Sequence, residues 1–152
     1  MLKYVDTMVT FSEIPDEITL CINISNCPCH CIGCHSSYLA NDIGIVLGST
    51  ELMWLIGCSA GITCVSFMGG DNSPVDINNL AKLVRETSPK IKIAWYSGRQ
   101  ELSKDIDLKN FDIIKLGPYI EELGPLTKNT TNQRFYKVIN NELIDNTYLF
   151  WK

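Results

Sequence analysis

Residues 62–71 read ITCVSFMGGD. Ile62 to Met68 is short, almost entirely apolar and rich in β-branched residues, the composition of a strand covered on both faces. Gly69-Gly70-Asp71 then breaks it with a polar turn. Helical patterns stand on either side. Ser49 to Ile56 (STELMWLI) opens on a serine expected to cap a helix, with Glu51 in the first turn. Asp76 to Thr87 (DINNLAKLVRET) opens on an expected aspartate cap and places Ile77, Leu80, Leu83 and Val84 on one helical face.

Further outward the alternation continues. Ile18 to Ile24 (ITLCINI) has period-2 apolar residues and reads as a strand, as do Ile91 to Tyr96 (IKIAWY) and Phe111 to Leu116 (FDIIKL). A short helix is expected over Gln100 to Lys104. A terminal hairpin is expected over Val138 to Ile144, turning at Asn140-Asn141, and another around Pro15-Asp16 between Val9 and Ile18. Strands alternating with helices imply an α/β fold with a mostly parallel sheet, here within a single domain spanning residues 1–152. Active sites in such sheets lie at the carboxyl ends of the strands. The segments that follow the four expected strands are a cysteine-rich loop, Gly69-Gly70-Asp71, Ser97-Gly98-Arg99 and Gly117-Pro118-Tyr119. Every chemically unusual segment therefore falls on one edge.

Composition narrows the function classes. The 152 residues are 45% hydrophobic and 20% charged, ordinary for one globular domain. The net charge of −4, without any run of Lys or Arg, argues against a nucleic-acid or anionic-membrane surface. No apolar run approaches the roughly 20 residues of a membrane span. The opening MLKYVDTMVTFSEIPDE carries polar residues where a secretory signal is apolar, so a cytoplasmic location is expected.

The loop at 26–35, NCPCHCIGCH, holds four of the seven cysteines and both histidines. An odd, clustered set in a chain without a signal points to metal or redox chemistry rather than a disulfide scaffold. Cys21, Cys58 and Cys64 lie in apolar surroundings and are expected as small buried hydrophobes. Cys27, Cys31 and Cys34 form C-x3-C-x2-C. Structural zinc usually takes two ligand pairs with a longer spacer, and no second pair follows downstream. Three thiolates on one loop suit three corners of an iron–sulfur cubane whose fourth iron stays open. The spacing favours such a cluster, with zinc and a redox dithiol as the alternatives.

C-x3-C-x2-C after a first strand, followed by Gly-Gly-acid after the next, resembles the radical S-adenosylmethionine (SAM) superfamily. SFMGGDNSP, IAWYSGR, GPYIEELGPL and TTNQR, in that order over nearly the whole chain, resemble the activating proteins of the anaerobic, class III ribonucleoside-triphosphate reductase. The resemblance implies a truncated, open partial β/α barrel. It implies that Cys27, Cys31 and Cys34 bind a 4Fe–4S cluster whose remaining iron chelates SAM. Gly69 and Gly70 would let the backbone approach the methionyl group, Asp71 would help hold its ammonium, and Ser97, Gly98 and Arg99 would line the same mouth. The implied activity is an oxidoreductase one. SAM is cleaved reductively to a 5′-deoxyadenosyl radical, which takes hydrogen from a glycine on the large subunit of the reductase. A flavodoxin or ferredoxin would supply the electron. An activase for a pyruvate formate-lyase type of enzyme and a zinc-stabilised, non-catalytic binding module are the competing readings.

Three positions depart from the family pattern. Gly33 stands where an aromatic residue often precedes the third cysteine, so the adenine contact is expected from His35 or Tyr38. Leu116 occupies the place of an acid before Gly117. Cys29 is an additional thiol within the motif, read as a non-ligand.

Overall fold

The computed structural model describes residues 1–31, 33 and 36–151. Its fold is α/β, built on one eight-stranded sheet in the order β3-β1-β2-β4-β5-β6-β7-β8. The strands are β1 (Lys3–Thr10), β2 (Thr19–Ile24), β3 (Ile45–Val46), β4 (Cys64–Met68), β5 (Lys92–Tyr96), β6 (Ile113–Leu116), β7 (Arg134–Ile139) and β8 (Glu142–Asp145). Two helices, α1 (Ser49–Gly57) and α2 (Pro74–Thr87), connect β3 to β4 and β4 to β5.

The sheet is mixed rather than mostly parallel. β2, β4, β5 and β6 run parallel. β1, β3, β7 and β8 join antiparallel at the flanks. Strands joined by a tight turn can only return antiparallel, whereas parallel neighbours need a long crossover. The expected hairpins are present and longer than their sequence signals. β1 pairs with β2 from Thr10↔Thr19 to Tyr4↔Ile24. β7 and β8 turn at Asn140 and Asn141, both with positive φ, the conformation a two-residue hairpin loop requires. β3 and β8 form the two edges and the sheet is open; no pairing among the described residues closes it into a barrel.

The parallel strands are laid down in one direction, β2 to β4 to β5 to β6. With right-handed crossovers, that winding sends every connection over the same face. Leu52 and Leu55 of α1 and Ile77, Leu80, Ala81 and Val84 of α2 are buried there against Ile22, Val65, Phe67, Ile93, Trp95 and Ile114. The opposite face carries no α-helix among the described residues. Ile14, Cys64, Ala94, Ile113 and Phe135 form a smaller core on it, closed by Leu126 from a loop and by Phe150 from a 3₁₀ turn at Thr147–Phe150. Phe135 and Phe150 meet edge to face at 4.9 Å.

Several local expectations are corrected. Gly48, not Ser49, is the N-cap of α1. α2 begins two residues before Asp76, because Pro74 suits the first helical position and Ser73 precedes it as N-cap. Ala81 takes the buried place expected of Leu83, which is only half-buried. Gln100–Lys104 is irregular. The β5–β6 crossover is covered only by a 3₁₀ turn at Leu108–Asn110, whose Asp107 cap accepts from the Lys109 N–H. Cys21 and Cys64 are buried, and burial pushes both thiols up to about 12, as inert packing residues. Cys58 departs from that expectation: it is exposed, because α1 ends there and its C-cap faces solvent.

Phe67 is fully buried at the centre of the helix-covered face, whereas Trp54 on α1 is 60% exposed. Phe67→Ala is expected to cost about 3–5 kcal/mol, and Trp54→Ala to stay within about 0.5 kcal/mol. Urea unfolding of the two variants checks the contrast.

Candidate functional site

The cysteine loop leaves β2 at Ile24 and returns to a 3₁₀ helix at Ser37–Ala40. Its root is closed by the backbone: Asn26 N–H donates to Asn41 O at 2.9 Å and Cys27 N–H to Leu39 O at 2.8 Å. Cys27, Cys29 and Cys31 are all half-buried. Cys34 and His35 lie outside the described residues. Among the described residues no group of three His, Cys, Asp or Glu side chains is gathered to hold a metal ion.

A cavity of about 200 Å³ opens where the parallel strands end. Cys27, Cys29 and Cys31 line it from the loop, Gly69 and Asp71 from beyond β4, Ser97 and Gly98 from beyond β5, and Gly117 and Tyr119 from beyond β6. Segments far apart in sequence thus share one opening, as expected from the winding. Cys27 and Cys31 also border a hollow on the outer side of the loop, with His30 and Ser36.

The floor of the cavity is one rung of the sheet. Asn23 pairs with Met68, Met68 with Tyr96, and Tyr96 with Lys115. All four line the cavity. They sit on the helix-free face because Ile22, Phe67, Trp95 and Ile114, their neighbours in the strands, point to the helices. The Lys115 ammonium donates to Ser97 O at 3.3 Å and Gly117 O at 3.0 Å, binding two of the loops together. The Tyr96 hydroxyl donates to Glu13 O at 2.9 Å, and burial holds its pKa well above the usual phenol value. Gln133 of the TTNQR motif is buried and lines the cavity ahead of β7, whereas Lys115 is not evident as a site residue from any motif. A lysine between Ile114 and Leu116 in FDIIKL was the available signal.

Asp71 organises the loops. It is 7% exposed. Its Oδ1 accepts from the Ser97 hydroxyl, and its Oδ2 accepts from the Gly98 N–H at 2.9 Å and from the Cys29 thiol at 3.6 Å. The carboxylate expected to hold a ligand ammonium is therefore engaged by protein donors. Ser97 Oγ also accepts from the Arg99 N–H at 3.1 Å. Arg99 itself lines a different hollow, of about 460 Å³, with Trp95, Pro74 and Ser103.

Gly70 is placed differently from its neighbours. It does not line the cavity. Its φ is +89°, and a Cβ would meet Ile77 Cδ1 at 2.5 Å, against α2. Backbone conformation and helix packing account for a glycine here. Gly69 does border the cavity, but its N–H donates to Tyr96 O at 3.0 Å and its carbonyl accepts from Trp95 Nε1 at 2.6 Å.

Tyr38 is exposed and its hydroxyl donates to Asp6 at 3.3 Å, over a neighbouring hollow against β1. The aromatic ring against Gly33 is that of Tyr119, whose Cε2 stands 3.3 Å from the position of a Cβ there. Thr131 is buried and accepts from the Gln133 N–H, Asn132 donates to Pro118 O at 3.0 Å, and Arg134 pairs with Asp145 across the hairpin. The TNQR segment thus supports the Gly117–Tyr119 loop from beneath.

The donor chemistry of the loop fits a thiolate-bound metal group. Side-chain hydrogen bonding from Cys29, for whose single thiol proton the Cys27 sulfur competes with Asp71, pulls the Cys27 pKa down to about 6 against the effect of burial. The N–H groups of Cys29 and His30 add to that stabilisation. A sulfur cradled by N–H donors is one prepared to carry negative charge toward iron or zinc. The chain matches no protein-family model, no curated protein and no solved structure.

Gly70→Val is expected to destabilise the fold by about 2–5 kcal/mol, from backbone strain and overpacking on Ile77. Calorimetric melting checks it: an unchanged melting temperature would remove the packing role assigned to this glycine.

Proposed function

We propose that this chain is a glycyl-radical activating enzyme of the radical SAM type, acting on the anaerobic ribonucleoside-triphosphate reductase. The observation that carries the reading is the meeting of Cys27 and Cys31 with the Gly69–Asp71 and Ser97–Gly98 segments around one cavity at the ends of the parallel strands. The one-directional winding of β2, β4, β5 and β6, with helices on one face, is consistent with part of a β/α barrel.

Cys27, Cys31 and Cys34 would hold the 4Fe–4S cluster. Bound there, the cluster would supply the electron for reductive cleavage of SAM and so for hydrogen abstraction from a glycine Cα of the reductase. The chain's own residues do the rest. Cys27 would bind as a thiolate, the form that hydrogen bonds from Cys29 and His30 favour. Tyr119, beside Gly33, presents the aromatic surface that the motif lacks before Cys34. Lys115 and Asp71 keep the loops fixed around the opening. A hollow of about 650 Å³ adjoins the cavity at Asn23, Ser36 and Met68 and extends along β1 on the helix-free face. An opening of that extent suits a polypeptide loop as substrate. A flavodoxin or ferredoxin is the proposed electron donor.

Anaerobic reconstitution with iron and sulfide tests the reading. The wild-type chain and Cys29→Ser are expected to turn brown and bind a 4Fe–4S cluster. Cys27→Ala, Cys31→Ala and Cys34→Ala are expected to lose the bound iron. With a reductant, the loaded protein should convert SAM to 5′-deoxyadenosine and, given the reductase, generate a glycyl doublet in its paramagnetic resonance spectrum. A colourless, zinc-loaded protein would instead establish the binding module. A doublet on a formate-lyase type of partner alone would reassign the substrate.

A further inference from the structure

Cys29 stands between two of the proposed ligands, yet its surroundings give it a separate task. Its sulfur lies 3.6 Å from Asp71 Oδ2, the oxygen that also accepts the Gly98 N–H. The Cys27 sulfur is a second acceptor within its reach. A Cβ at Gly98 would come within 2.8 Å of Cys29 Sγ and 3.2 Å of Cys29 Cβ. The absent side chain of Gly98 is thus the notch in which the Cys29 side chain rests. Gly98 does not have a positive φ, so close approach rather than backbone conformation explains a glycine there.

The rest of the loop makes this contact important. Asn26 and Cys27 tie its root to Asn41 and Leu39. Beyond them, among the described residues, 28–31 make no backbone–backbone hydrogen bond. Asp71 and Ser97 are buried, so the carboxylate receives its donors with little competition from water. A hydrogen bond to a charged group in such a setting is stronger than one between neutral groups.

We propose that Cys29 is a positioning residue, a thiol latch that fastens the cysteine loop to the Asp71 carboxylate with its side chain seated in the Gly98 notch. The latch holds the loop over the strand ends before any metal group is bound. It depends on the proposed cluster reading only for what the loop then carries.

Amide hydrogen exchange of the full, metal-free chain tests it. Cys29→Ala is expected to accelerate exchange at the amides of residues 29–31 and of Gly98 by about tenfold, the order expected for one lost charge-assisted hydrogen bond. Cys29→Ser, which keeps a donor, should restore protection to within about twofold of wild type. Gly98→Ala should release the amides of residues 29–31 as Cys29→Ala does. In an Asp71→Ala background, Cys29→Ala should have no further effect, because the bond is already gone. Wild-type exchange in Cys29→Ala, or no rescue by serine, would overturn the latch. A Cys29→Ala effect that persists without Asp71 would assign the contact to Cys27 and overturn it equally. Reconstitution reports separately: a wild-type chain that binds no iron yet shows the expected exchange pattern would retire the cluster reading and leave the latch standing.

Discussion

The one-directional winding of β2, β4, β5 and β6 is the constraint on which the rest of this molecule depends. Each right-handed crossover must return over the same face, so both helices collect on one side and bury Phe67, Trp95 and Ile114 there. The same winding brings all four carboxyl ends to one edge. Residues as distant in sequence as Cys27, Asp71, Ser97 and Gly117 then share a cavity. It also leaves the opposite face free of α-helices among the described residues, where side chains at the strand ends can serve an opening.

That edge is held by polar contacts more than by packing. The buried Asp71 carboxylate collects an O–H, an N–H and an S–H from two other loops. Lys115 reaches the carbonyls of Ser97 and Gly117 from the cavity floor. Trp95 does similar work from the helix side, donating its indole N–H to Gly69 O. Loops with few apolar residues cannot stabilise one another by burial. Charge-assisted bonds in a water-poor setting fix their relative positions instead. For the proposed activity, an ordered rim around a half-buried thiolate is an appropriate frame, and the open face beside it gives a protein substrate room to approach.

The strand and helix pattern was legible because apolar periodicity is local. ITCVSFM, ITLCINI and IKIAWY each declare their burial within a few residues, and β4, β2 and β5 fall within those runs. Cap positions were less legible, since Ser49 and Asp76 are good capping residues but Gly48 and Ser73 stand where the chain enters α1 and α2. The flanking hairpins were announced by their turns at Pro15-Asp16 and Asn140-Asn141, whereas the short β3 had no such signal and arises from a pairing between residues far apart, Tyr4 with Ile45.

The amino-acid sequence by itself determined the cysteine-rich loop, the order of strands and helices, and the turns that follow each parallel strand, because motif spacing and periodicity are properties of neighbouring residues. Tertiary structure alone decided which of those residues face the cavity. It turned Gly70 toward Ile77, sent Arg99 to another hollow, brought Tyr119 against Gly33 and placed Lys115 beneath the opening. It also set Cys29 against Asp71 and Gly98. These outcomes depend on strand register and on the face each side chain takes, and a shift of one residue in a strand exchanges the two faces. No local pattern encodes that choice, which is made only when the strands pair.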